Sequence, residues 1–213
     1  MRIVDLQTWP RRAHYEMYRA FDFPHFSLCG MLEVSALQAW RAKADPDRRA
    51  SFSLAVSYVL TRVANALPEF RYRIRGEQVI EHERVDPSPT QLTDQEVFSF
   101  CRLRYVEDFG RFVALAAPVL MKVRQQATLD DEGADDLLFL SNIPWVAFTA
   151  MQHPIHMHPV DSVPRLTWGK VMDGRMPLGV QVHHGLMDGL HVGRYFEQVQ
   201  DLLAEPQIWW RET

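Results

Sequence analysis

The segment Gln181-Val182-His183-His184-Gly185-Leu186-Met187-Asp188-Gly189 carries the densest chemical signal in this 213-residue chain. Imidazole titrates near neutral pH, so a fixed histidine can take a proton from a hydroxyl and return it to a thiolate. An aspartate four residues after His184 can order the local backbone, or pair with a cation and stiffen the turn. Gly185 and Gly189 permit a tight backbone and close approach of a ligand. Consecutive strand residues face opposite ways, so only one of His183 and His184 can face a cleft, and alternation does not say which. Taken alone, the segment fits two histidines packed in a turn as well as it fits a catalytic base.

The flanking pattern places this segment where a strand gives way to a helix, a junction that often presents side chains to a cleft. Residues 165–171 and 178–183 read as two strands joined by a turn at Asp173-Gly174. Residues 190–203 have helical spacing, with Val192, Tyr195, Phe196, Val199, Leu202 and Leu203 on one side. Further upstream, residues 3–6 are strand-like and residues 11–20 are helical behind Pro10. A strand is expected over 26–34 and a helix over 36–43 behind Ser35 as N-cap. Residues 52–67 form a long apolar helix stopped by Pro68, and 72–75 with 78–81 read as a hairpin around Gly76-Glu77. One or two strands fall within 91–106, then a helix over 106–126. An exposed acidic loop follows at Asp130, Asp131, Glu132, Asp135 and Asp136. Residues 137–140 turn apolar, and a strand is expected to begin near Pro144. There is no repeat, linker or seam. The expectation is one domain over residues 1–213, α/β in class (α+β-like), with a single mixed, antiparallel-rich sheet covered by helices.

Hydrophobic residues make up 47% and charged residues 23%, the balance of an ordinary globular protein. A net charge of -4 argues against a general nucleic-acid binder. The pairs Arg11-Arg12 and Arg48-Arg49 read first as solvated surface, with a phosphorylated small molecule as the alternative. Cys29 and Cys101 have no metal-site spacing, and two buried free thiols in a reducing cytoplasm are expected. No run approaches the roughly 20 apolar residues of a membrane helix, and the N-terminus lacks a signal peptide's apolar core. Both features predict a soluble, cytoplasmic protein.

His184-Gly185-Leu186-Met187-Asp188-Gly189 matches the HxxxDG element shared by coenzyme A-dependent acyltransferases. Residues 180–194 resemble the chloramphenicol acetyltransferase family in particular. Trp9-Pro10-Arg11-Arg12-Ala13-His14-Tyr15-Glu16-Met17-Tyr18-Arg19 is similar to the family's N-terminal W-x-R-x-x-[HY]-[FY]-x-x-[FY] segment. Phe26-Ser27-Leu28, Val85-Asp86-Pro87, Ser141-Asn142-Ile143-Pro144-Trp145-Val146 with Phe148, and Thr167-Trp168-Gly169-Lys170 follow in the family's order. The likeness therefore spans nearly the whole chain.

This resemblance implies a homotrimer with active sites between subunits, acetyl-CoA as co-substrate, no permanently bound cofactor, and a small hydroxylated acceptor, chloramphenicol first. It selects His184 as general base and Ser141 as hydroxyl donor to the oxyanion. Thr167 would hold a water near the developing charge, and Asp188 would be structural, paired with Arg19. Phe23, Phe26, Phe98 and His153 are expected at the acceptor and Lys170 at the coenzyme, with Arg48-Arg49 a further candidate for its phosphates. His191 reads as a helix-surface histidine. His153, His156 and His158 read as surface or pocket-lining residues, with no metal expected. A metal pair of His156 and His158 on one strand face is the alternative. Their polarity favours an acceptor more polar than chloramphenicol as the second reading. A non-catalytic protein binding a small ligand or metal is the reading from another class.

Overall fold

The computed structural model describes residues 1–45, 50–126, 128–129, 133–158 and 160–210. Its main sheet has six strands in the order β2 (His25–Glu33), β9 (Arg175–His183), β8 (Arg165–Gly169), β7 (Leu137–Ile143), β5 (Asp86–Leu92) and β6 (Phe98–Phe100). The β2–β9, β9–β8 and β5–β6 pairs are antiparallel, and β8–β7 and β7–β5 are parallel. The hairpin of β3 (Tyr72–Arg75) and β4 (Gln78–Glu81) joins β1 (Arg2–Ile3) in a separate three-stranded sheet rather than extending the main one.

Alternation divides the main sheet cleanly. Leu140, Leu166, Trp168, Leu178, Val180 and Val182 bury one face in a core shared with α3 (Phe52–Ala66), α4 (Phe109–Gln125) and α5 (Gly189–Ala204). α3 is buried on nearly all sides and is capped by Ser51, whose hydroxyl accepts from the Leu54 amide. The opposite face carries Ser141, Thr167, Gln181 and Ser27, and the segment after β7 crosses it: Lys170 N–H donates to Val146 O at 2.9 Å. Gly169 makes that crossing possible, since a Cβ there would lie 2.5 Å from Val146 O.

Arg73 docks the small sheet. Its fully buried guanidinium donates to the carbonyls of Phe70, Tyr72, Asp135 and Leu137, and burial pushes its pKa down to about 10. Asp135 is correspondingly no loose member of an acidic loop, because it holds Arg75 and His82. Asp130, Asp131 and Glu132 lie outside the described residues.

Several boundaries moved. No strand begins near Pro144, because β7 is already paired from Leu137 and ends at Ile143. The β5 strand starts at Asp86, ahead of the expected region. The first helix, α1, is the shorter Arg12–Tyr18, and α2 spans Ser35–Lys43. Cys101 is buried, but Cys29 is exposed: β2 is an edge strand and Cys29 shares the face that the helices leave uncovered.

Candidate active site

His184 follows directly on β9, and its amide donates to Pro24 O at 2.7 Å, which ties the turn to the start of β2. Its Nδ1 lies 3.2 Å from Met187 O. A carbonyl can only accept, so Nδ1 carries a hydrogen, and in the neutral ring the lone pair is then on Nε2, the tautomer of a base. The ring stacks on Tyr18 (centroids 4.2 Å apart, planes 11° from parallel) and meets Phe26 at 4.5 Å. His184 is about one-third exposed, at 31%. His183 is buried instead, and burial drives its pKa down to about 3, so it stays neutral. Its Nδ1 accepts from Gly185 N–H at 3.0 Å. A Cβ on Gly185 would stand 2.9 Å from that ring, so the turn requires this close approach.

Asp188 pairs with Arg11, not with Arg19. The Arg11 guanidinium grips both carboxylate oxygens and also donates to His184 O at 2.6 Å and Gly185 O at 3.0 Å. One side chain thus binds two successive carbonyls, those of His184 and Gly185, and the aspartate four residues after His184. These bonds hold the Asp188 carboxyl below its ordinary pKa. Arg19 lies beyond the far end of α1 and pairs with the exposed Glu77. Eight residues of mostly helical chain separate the two arginines by about 12 Å; Tyr18 at the far end still reaches the His184 ring, but the Arg19 side chain is turned to Glu77 and only Arg11 reaches Asp188. Arg11 is the arginine of the W-x-R pattern, and that position was the available signal.

Ser141, Thr167, Gly179 and Cys29 form one row across β7, β8, β9 and β2. Ser141 is half-buried, and its hydroxyl has no hydrogen-bond partner among the described residues. Thr167 is fully buried, with Oγ1 2.6 Å from His153 Nε2. The His153 amide in turn donates to Gln181 Oε1 at 2.7 Å, and burial lowers the imidazole pKa to about 4. The water expected at Thr167 would therefore share its hydroxyl with a neutral imidazole.

The row and the base are far apart in one chain. From Gly179 to His184 is five residues of strand, about 16 Å, and Ser141 lies two strands to the side, about 10 Å more across the sheet. The separation is close to 19 Å by these spacings, whereas a base and an oxyanion donor acting on one carbonyl must each sit about 3 Å from it or its nucleophile.

The chloramphenicol acetyltransferase family model matches residues 1–200. The chain belongs to this family. It is accordingly an acetyl-CoA-dependent O-acetyltransferase with acetyl-CoA as co-substrate. It is similar to chloramphenicol acetyltransferase 2 of Haemophilus influenzae, 31% identical over 92% of this chain and 94% of the relative. A chloramphenicol acetyltransferase of Streptomyces acrimycini is also 31% identical, over 95% of this chain and 94% of the relative. A solved chloramphenicol acetyltransferase superposes with a TM-score of 0.84, at 26% identity over 95% of this chain and all of that one. The cubic core of the pyruvate dehydrogenase multienzyme complex shares the fold, with a TM-score of 0.70 at 19% identity over 92% and 88% of the two chains.

On this chloramphenicol acetyltransferase family chain the remaining expected site residues separate. Phe26 touches the His184 ring, and Phe23 lines a surface groove with Ser27, Met151 and Gln152. Phe98 is exposed on β6 at the other edge of the sheet, four strands from β9, so one chain cannot bring it to His184. Lys170 is exposed just after β8, on the loop crossed by Val146. Arg48 and Arg49 lie outside the described residues. Residues 156–158 form no strand beyond a bridge from Met157 to Val160, so His156 and His158, both exposed, do not share a strand face as a metal pair would. Among the described residues no three potential metal-binding side chains converge. Sequence reasoning missed Tyr18 as the platform for His184, although Tyr18 stands in the N-terminal segment that carried the resemblance.

Proposed function

We propose that this chain acetylates a hydroxyl of chloramphenicol from acetyl-CoA, in a cytoplasmic homotrimer, and so confers resistance to that antibiotic. The observation that carries the reading is the separation of about 19 Å between two complementary half-sites. His184 offers a lone pair at Nε2, and Ser141 offers a hydroxyl without a competing partner among the described residues. Two copies supply one complete site when His184 of one subunit faces the Ser141 row of the next. Such a contact joins unlike patches, and heterologous contacts of this kind close into rings. Exposed apolar residues at both edges of the main sheet support it: Phe23 and Met31 by β2, and Leu92 and Phe98 on β5 and β6. The second copy also gives Phe98 a route to the acceptor.

In the reaction, His184 Nε2 takes the proton of the acceptor hydroxyl as its oxygen attacks the thioester carbonyl carbon. Ser141 donates to the oxyanion of the tetrahedral intermediate. Collapse breaks the carbon–sulfur bond, and the departing thiolate takes the proton back from His184, leaving the base as it began. Arg11 and Asp188 hold the turn, His153 holds the Thr167 hydroxyl, and Lys170 serves the coenzyme. His153 beside the acceptor floor supports a second reading, the same chemistry on a more polar acceptor.

Complementation tests the assembly and the chemistry together. His184→Ala and Ser141→Ala should each be nearly inactive in a thiol-release assay with acetyl-CoA and chloramphenicol. Denatured together and refolded, they should regain activity, because mixed rings contain sites with both residues intact. No recovery from two folded variants would refute the shared site. No chloramphenicol-dependent thiol release by the wild type would remove this acceptor.

A further inference from the structure

The helix after the catalytic turn begins with an unusual cap. Asp188 is the N-cap of α5, a position whose carboxylate would ordinarily serve the first free amides of the helix. Here that carboxylate is also held by Arg11. The backbone N–H of Asp188 donates in turn to His191 Nδ1, at 2.9 Å, so an imidazole at the third helical position does what a glutamate or glutamine does in a capping box. An acceptor Nδ1 must be unprotonated, which leaves the ring hydrogen on Nε2, and Nε2 lies 3.5 Å from Glu69 Oε1. Glu69 sits on the short helical turn after α3, Pro68–Arg71, far in sequence from the site. His191 and Glu69 line a surface groove with Trp9, His14 and Tyr72, and Leu186 brings the turn that carries His184 to the same groove.

We propose that His191, with its tautomer set by the Asp188 amide and its Nε2 turned toward Glu69, is a positioning residue for the general base. It holds the Asp188 amide while Arg11 holds the Asp188 carboxylate, so the turn from His184 to Asp188 is fixed from two sides by separate elements. The His184 Nδ1 hydrogen bond ends on Met187 O, whose carbonyl belongs to the same peptide unit as the Asp188 N–H. Tilting that peptide when the cap is lost moves the acceptor that fixes the tautomer and angle of the base. His191 itself does not touch the reacting atoms. The inference rests on the proposed role of His184, but its structural half does not need an active enzyme.

The test compares His191→Asn and His191→Gln, whose side-chain oxygens can accept from the Asp188 amide, with His191→Leu, which offers no acceptor there. In the wild-type protein, exchange of the Asp188 amide with deuterium should be protected. Protection should persist in His191→Asn and His191→Gln and fall at least tenfold in His191→Leu, with no substrate present. With acetyl-CoA and chloramphenicol, kcat should drop about tenfold in His191→Leu with KM little changed, and stay within about threefold of wild type in His191→Asn and His191→Gln. Glu69→Gln should lie between. Equal exchange in all variants, or His191→Asn as impaired in kcat as His191→Leu, would overturn the positioning role. If exchange responds as expected while even the wild type releases no thiol, the cap stands and the proposed reaction fails.

Discussion

Replacing Arg11 with alanine is the sharpest perturbation available. It removes two bonds to the Asp188 carboxylate and one each to the carbonyls of His184 and Gly185. Hydrogen bonds to a charged group are worth roughly 1.5–3 kcal/mol each, but they do not add, and water can partly replace the guanidinium at a carboxylate that is one-third exposed. A net loss of about 3 kcal/mol is expected, which for a chain of this length lowers the melting temperature by about 6–12 °C. The His184 backbone would be released on one side, and a 1 Å misplacement of a catalytic group costs on the order of 10²-fold in rate. Arg11→Lys should fall between, because an ammonium cannot fork across two carboxylate oxygens and two carbonyls. Thermal unfolding at fixed protomer concentration and thiol release measure the two effects. Arg19→Ala is the internal control: its partner Glu77 is exposed and such a pair is worth at most about 1 kcal/mol, so the melting temperature should move by less than about 4 °C. If Arg19→Ala were as harmful as Arg11→Ala, or if Arg11→Ala kept wild-type melting and turnover, the assignment of the supporting cation would be wrong.

Ser141→Ala should lower kcat on the order of 10²-fold, the scale of one lost oxyanion donor, with KM nearly kept; unchanged kcat would remove Ser141 from the mechanism. His183 and His153 are neutral in the fold, with pKa values pushed down by burial to about 3 and about 4, against about 6.5 when unfolded. Their contribution is full above pH 6.5 and fades as pH falls below it, so urea unfolding should show stability declining from pH 7 to 5 with uptake of up to about two protons on unfolding. In His153→Leu the slope should shrink by about one proton, and a flat profile in the wild type would contradict the burial argument. Gly169→Ala drives a methyl to 2.5 Å from Val146 O, so about 1–3 kcal/mol of destabilisation is expected by chemical denaturation, and wild-type stability would mean that the loop yields freely.

Much of the site was legible because it is local in sequence. His184, Asp188 and the two glycines lie within six residues, and the strand-to-helix switch around them follows from a change of hydrophobic period. Ser141 and Thr167 were legible only through their surrounding motifs, since a lone serine or threonine in a strand carries no chemical signature. The choice between Arg11 and Arg19 was not legible from charge. It depends on which arginine side chain is turned toward Asp188, a tertiary fact. The bond between His153 and Thr167 spans a loop with no regular period, and the cap from His191 puts an imidazole where the capping-box pattern signals a glutamate or glutamine. The strands were found where alternation was strong, at β8, β9 and the β3–β4 hairpin. The start of β5 was missed because Asp86-Pro87-Ser88-Pro89 has little strand propensity and is held by its parallel partner β7.

In the proposed assembly, strand β9 is a member of two different sites. Near its middle, Gly179 belongs to the row of Ser141 and Thr167, and just past its end it delivers His184. In the proposed ring every copy of this strand links the donor half of one reaction centre to the base half of the next. Three centres would then be joined by three stiff rods, each clamped along nine residues by β2. Redesign of acceptor preference can therefore work on the sheet face and leave the base alone. A substitution that shifts β9 along its length cannot do the same, since it moves parts of two centres at once.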